Sequence, residues 1–118
     1  MNNLIQLKNQ LVLTKIHIFL KDIGVDQASN RILCAKVIEY ICKDPTYLVD
    51  IDNLYYCVGK KFKVSSIYVK RRMQYIINHL CRCNIEQLNE NTMGLLNSCP
   101  NHLEFLLVLS VIFRAKYL

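Results

Sequence analysis

Apolar residues along this chain recur mostly three and four positions apart, the spacing of one helix face rather than the alternation of a half-buried strand. A first helix is predicted over residues 4–22, with Ile5, Val12, Ile16, Phe19, Leu20 and, just beyond, Ile23 on its inner face. Gly24 follows as the residue that leaves a helix through the left-handed conformation. Ser29 or Asn30 can cap a second helix carrying Leu33, Val37, Ile38 and Ile41, and Asp44-Pro45 ends it, because the proline ring disfavours a helical Asp44. A third helix is expected from about Asp50 to Phe62, with Ile51, Leu54, Tyr55 and Val58 inward. Lys63-Val64 makes a turn, and Ser65 caps a fourth helix through about Cys81. Its inner stripe is Val69, Met73, Ile76, Ile77 and Leu80. A short helix over Ile85 to Asn91 follows, and Asn101 with Glu104 forms a capping-box start to a last helix running to Phe113 or beyond. The expectation is an all-α, six-helix domain.

Composition narrows this. With 118 residues, three glycines and two prolines, one domain spanning 1–118 is expected, and a turn-rich β-sandwich is disfavoured. The apolar runs Ile16 to Leu20 and Phe105 to Phe113 are too short to cross a bilayer, and Met1-Asn2-Asn3-Leu4 does not open a signal peptide. Six cysteines could indicate a secreted disulfide framework. Cys34, Cys42 and Cys57 fall within helical patterns, however, so the expectation is an intracellular, cytoplasmic protein with reduced thiols and no membrane partner.

Charge changes the picture most. From Asn53 to Ile85 there is no Asp or Glu, while Lys60, Lys61, Lys63, Lys70, Arg71, Arg72 and Arg82 all fall there. The other eight basic and nine acidic residues leave the rest of the chain at −1, so the net +6 belongs to that window. A basic segment on a near-neutral body is the footprint of a polyanion binder; a solvated face without a partner is the plainer alternative.

The same window carries the local pattern of a helix-turn-helix. Gly59 permits close helix packing, Phe62, Val64 and Val69 clamp the turn, and Ser65 caps the second helix. At 100° per residue Ile67, Arg71, Gln74, Tyr75 and Asn78 lie opposite the inner stripe, with Tyr68 and Lys70 on the flanks. Arg and Gln side chains match the donor and acceptor patterns of base edges. Lys60, Lys61, Lys63, Ser65, Ser66, Arg72 and Arg82 are the candidates for phosphate contact. Lys63 stands where such turns often hold Gly, so a left-handed backbone there carries strain. An ordinary helical hairpin in a protein-interaction domain has the same pattern.

Asp22-Ile23-Gly24-Val25, Lys60-Lys61-Phe62, Val69 with Arg71, Arg82-Cys83-Asn84-Ile85-Glu86, Pro100 and Glu104-Phe105 occur in an order and spacing that resemble one family. The chain is similar to the C-terminal effector domain of the sporulation response regulator, the stage 0 sporulation protein A family. The resemblance implies a six-helix domain that binds double-stranded DNA at short tandem boxes and contacts RNA polymerase sigma subunits. Phe105 to Phe113 is apolar nearly all round, so that helix is either buried by the other helices or completes its burial against a second subunit; the resemblance implies subunit contacts at this end, which keeps a homodimer open, if only on DNA. The family's reading positions fall on Ile67, Tyr68, Lys70, Arg71, Gln74 and Tyr75, and only Arg71 keeps the family's residue. The family's phosphoacceptor receiver domain has no counterpart in this sequence, and Met1 favours a natural short protein over an excised domain.

Other chemistry reads more weakly. His79, Cys81, Cys83, Cys99 and His102 could suggest zinc, but residues two apart on a helix diverge by about 200°, and the expectation is no metal and no cofactor. No nucleophile, base and orienting acid occur at a recognisable spacing, so no enzymatic activity is expected. The alternative function is an interaction module of the same fold that binds a full-length regulator or a sigma factor without reading DNA.

Overall fold

The computed structural model describes residues 2–96 and 98–118. The reading of Met1 as an initiating residue therefore lies outside the described residues. Among the described residues the chain is all-α. It forms α1 (Asn2–Asp22), α2 (Ala28–Lys43), a short 3-10 helix (Pro45–Val49), α3 (Ile51–Phe62), α4 (Ser66–Cys83), α5 (Ile85–Asn91) and α6 (His102–Tyr117).

One apolar cluster joins the helices. Ile16, Phe19 and Leu20 of α1, Val37 and Ile38 of α2, Leu54 and Val58 of α3, and Phe105, Leu109 and Phe113 of α6 are all fully buried. The expected inner stripe of α4, Val69, Met73, Ile76, Ile77 and Leu80, is buried throughout. The nearly all-apolar α6 divides its surface. Phe105, Leu106, Leu109, Ile112 and Phe113 face the core, while Leu103, Leu107 and Val111 remain exposed.

The helix ends are set by local chemistry. Gly24 (φ 109°) follows α1, and the Val25 and Gly24 amides donate to the carbonyls of Leu20 and Lys21 at 2.9 and 3.1 Å. Further carbonyls at this end accept from side chains: Gly24 from Asn84 Nδ2 at 3.0 Å, and Asp22 from Gln87 Nε2 at 2.8 Å and Asn91 Nδ2 at 3.0 Å. The α4–α5 junction is thus latched to the end of α1. Asp44 ends α2 in an extended conformation and accepts from the Thr46 amide, starting the 3-10 helix, an element the periodicity does not announce. Asp50 caps α3 through the Asn53 amide at 3.1 Å. Asn101 and Glu104 form the expected capping box on α6.

Three expectations need correction. The second helix is preceded by Gln27, not by Ser29 or Asn30; both lie in its first turn, because Asn30 is buried and its amide bonds Gln27 Oε1 and Arg72. Ile5 is exposed, because residues 3–10 of α1 extend beyond the body. The fourth helix continues two residues past Cys81 to Cys83.

Candidate nucleic-acid interface

The surface begins with the close approach of α3 and α4. At Gly59 a side chain's first carbon would lie 2.6 Å from the Val64 carbonyl oxygen, so only a residue without one allows the chain to turn here. The Val64 amide donates to Gly59 O at 2.9 Å and the Lys63 amide to Lys60 O at 3.3 Å. That double closure requires a left-handed residue, and Lys63 adopts it (φ 59°, ψ 41°). Ser65 Oγ then accepts from the Tyr68 amide at 3.0 Å, and α4 starts.

The turn gathers the cations. Lys60, Lys61 and Lys63 at the end of α3 are exposed, as are Lys70 and Arg71 in the first half of α4. The one ion pair among the described residues is Lys36–Glu39 at 2.8 Å, on α2, so none of the seven cations of the acid-free window is neutralised by a carboxylate there. Two of the candidates lie apart from this group. Arg82 is exposed, but sits eleven residues after Arg71 and so roughly 16 Å further along the α4 axis. Arg72 is half-buried: its guanidinium donates to Asn30 Oδ1 and lies 5.5 Å from the centre of the Tyr75 ring. It fastens α4 to the start of α2. Ser65 spends its hydroxyl on the helix cap, and Ser66, half-buried, opens the helix.

All six candidate base-reading residues, Ile67, Tyr68, Lys70, Arg71, Gln74 and Tyr75, are exposed on α4. They differ in how firmly they are held. Tyr75 lies between Arg72 and His79, whose ring stacks on it with centroids 6.1 Å apart. Gln74 is held at both ends of its amide. Its Nε2 donates to Asn78 Oδ1 at 2.9 Å, and its Oε1 is 2.8 Å from His102 Nε2. A carbonyl oxygen only accepts, so Nε2 of His102 carries the proton. Its Nδ1 then accepts from the Tyr55 hydroxyl at 2.6 Å. This requires a neutral ring, and burial followed by the nearby Lys70 charge lowers the His102 pKa. Burial, with smaller contributions from Cys34 and Asp52, raises the Tyr55 pKa and keeps that hydroxyl protonated.

The relay from Tyr55 through His102 to Gln74 was not legible as such in the sequence. It joins α3, the first residue of α6 and α4, positions 19 to 47 residues apart. His102 entered the sequence reading only as a possible metal ligand. Among the described residues no three of His, Cys, Asp and Glu side chains gather as ligands would. His102 is occupied by Tyr55 and Gln74, and His79 by Tyr75. Burial, followed by the neighbouring Cys99, pushes the Cys81 thiol up to about 12, and burial does the same to Cys34. Neither is a ready thiolate at neutral pH.

Fold and site together define an all-α chain with a carboxylate-free cationic helical face buttressed from α2 and α6. No protein family, curated protein or solved structure matches the chain. No helix is long and apolar enough to cross a membrane among the described residues.

Proposed function

We propose that the chain is a sequence-specific double-stranded DNA-binding regulator of transcription, of the sporulation-effector type. The α3–turn–α4 unit acts as its helix-turn-helix. The observation that carries this reading is the set of exposed, unpaired cations around the turn, next to Arg71 and Gln74 on the outward face of α4. In this reading α4 enters the major groove. Arg71 reads a guanine through O6 and N7, Gln74 an adenine through N6 and N7, and exposed Ile67 suits a thymine methyl. Lys60, Lys61, Lys63 and, at the far end, Arg82 take phosphates and set the register without specifying sequence. Tyr75 and Arg72 form a packed flank, so direct reading concentrates on Ile67, Tyr68, Lys70, Arg71 and Gln74. A sigma subunit as further partner, and a cytoplasmic location, belong to the same proposal through the family resemblance.

Selection of bound sites from a random duplex pool tests it. Enrichment of a short motif is expected, and binding to that motif should fall with log[salt] at a slope of about −3.6, as four phosphate contacts require. An unenriched pool, or no binding at low salt, refutes it. One observation favours a second reading, the protein-interaction module. Ile67, Tyr68 and Tyr75 expose large apolar surface on the same face, and Tyr68 edges an apolar groove with Ile32, Leu33, Phe62 and Val64. An unenriched pool together with saturable binding to a partner regulator would establish that alternative.

A further inference from the structure

Among the described residues, α1 carries more exposed large apolar side chains than any other helix. Leu4 is 64% exposed, Leu7 61%, Leu11 56% and Ile18 50%. These positions, with exposed Thr14 between the last two, alternate steps of three and four, the a and d positions of a heptad seam. At 100° per residue the four apolar ones span a stripe about 60° wide. Its centre is roughly 140° from the stripe of Ile16, Phe19, Leu20 and Ile23 that α1 buries. A single helix thus carries two apolar faces, and the body covers only one. Such a stripe is costly to leave in water and has the form of a coiled-coil half.

We propose that α1 pairs with α1 of a second copy as a parallel two-helix coiled coil, making the chain a homodimer through its N-terminal helix. The seam is self-complementary, which suits a twofold pair. The flanking residues choose the direction. Asn3, Gln10 and His17 line one side of the seam, and Lys8, Lys15 and Asp22 the other; Lys15 and His17 are half-buried, and the Lys15 ammonium donates to the Tyr117 carbonyl at 3.3 Å with two further hydrogens to offer a partner. In a parallel pair Asn3 faces the partner's Lys8, Gln10 the partner's Lys15, and His17 the partner's Asp22, with no like charges opposed. An antiparallel pair sets Lys8 against the partner's Lys15. Two and a half heptads bury on the order of 1,000 Å² in total, the low end for a specific interface, which suits a weak, concentration-dependent dimer. This places the subunit contact on the first helix. The exposed Leu103, Leu107 and Val111 of α6 form a shorter stripe, with two four-residue spacings and no heptad alternation.

Sedimentation equilibrium of the full chain under reducing conditions, from about 5 to 200 µM, tests this. The mass should rise with concentration from 13.8 kDa toward twice that value. Leu7→Glu/Leu11→Glu should hold it at the monomer value with an unchanged helical spectrum, because both side chains are exposed and leave the core untouched. Leu107→Glu should dimerise like the parent. Gln10→Glu should tighten the dimer severalfold by placing a carboxylate beside the partner's Lys15. A parent monomeric at 200 µM overturns the proposal, as does a dimer lost in Leu107→Glu but kept in Leu7→Glu/Leu11→Glu. Weakening by Gln10→Glu overturns the parallel direction.

Discussion

Replacing Gly59 by alanine sets two effects of opposite sign against each other. Within a helix the change should stabilise by about 1 kcal/mol, because alanine loses less conformational freedom on folding. Here the added carbon would meet the Val64 carbonyl oxygen at 2.6 Å, with the Ser65 carbonyl carbon and oxygen both at 3.3 Å. All are backbone atoms, so no side chain can swing away. To reach ordinary contact the turn must withdraw by roughly 0.5 Å or more. The bond from the Val64 amide to Gly59 O, now 2.9 Å, would lengthen toward its limit, forfeiting about 1 kcal/mol. The shift also disturbs the packing of α3 on α4, where Val58 and Val69 are both fully buried, at a cost of about 1–3 kcal/mol. The steric terms win, and Gly59→Ala should destabilise by about 2 kcal/mol net. For 118 residues the unfolding entropy is about 0.25 kcal/mol/K, so the melting midpoint should fall by about 8 °C. Thermal unfolding followed by helical circular dichroism measures it. Gly94→Ala is the reference: nothing lies within 4 Å, and only the strain of φ +73° remains, worth about 1 kcal/mol. A Gly59→Ala variant as stable as the parent, or more so, would refute the reasoning and show that the α3–α4 contact yields readily.

The remaining predictions concern the interface and its supports. Arg71→Ala should cost about 1–3 kcal/mol on a selected duplex and relax one base position, whereas Lys61→Ala should weaken selected and scrambled duplexes alike; competition titrations on both duplexes separate the roles. Arg72→Ala should lower the urea midpoint more than Lys61→Ala, because it removes the bond to Asn30 and the contact with Tyr75 as well as a charge. Stability should fall as pH drops below about 6.5: burial and then Lys70 lower the His102 pKa, and burial followed by Arg31 and Lys36 lower that of His17. The unfolded chain then binds more protons, so the contribution present above the unfolded value is lost on acidification through the folded one; urea midpoints at pH 7.5 and 5 measure it, and His102→Gln should reduce the difference.

The parts of this fold legible in the sequence are those decided within one or two helical turns. The stripe of α4, the serine cap at Ser65, the capping box at Asn101 and the glycine exit at Gly24 each follow from residues at most a few positions apart. The left-handed Lys63 was legible too, as a turn position occupied by a residue that pays for it in strain. Misreadings arose where a distant partner decides. Asn30 is a good cap by type, but Arg72, 42 residues away, holds its amide inside the structure. Ile5 has the right period for the core, but periodicity does not reveal where the rest of the body stops. For the site, the outward face of α4 could be listed from angles alone. Which of its members are free and which are fixed depended on His102 and Asn30, which no local spacing connects to α4.

Those two residues would give the proposed interface its mechanical logic. A recognition helix held only by its buried stripe can still roll about its axis, since Val69, Met73 and Ile77 tolerate small rotations that swing a long outward side chain by an ångström or more. Here α4 is tied on both flanks. Arg72 binds it to Asn30 of α2 on one side, and Gln74 binds it to His102 of α6 on the other. The two ties fall two residues apart, close to the midpoint between Arg71 and Tyr75, and they oppose rotation in either sense. Arg71, which makes no hydrogen bond or ion pair among the described residues, is then a free side chain on a fixed helix, and Gln74 is already oriented before any nucleobase of the proposed target arrives. Fixing the base lowers the ordering cost of binding. If α4 is so constrained, removing either tie should broaden the preference at several base positions at once, whereas removing Arg71 should erase one. Site selection repeated with Asn30→Ala and His102→Ala distinguishes the outcomes. A single-position change in either variant would mean that α4 is held by its buried stripe alone.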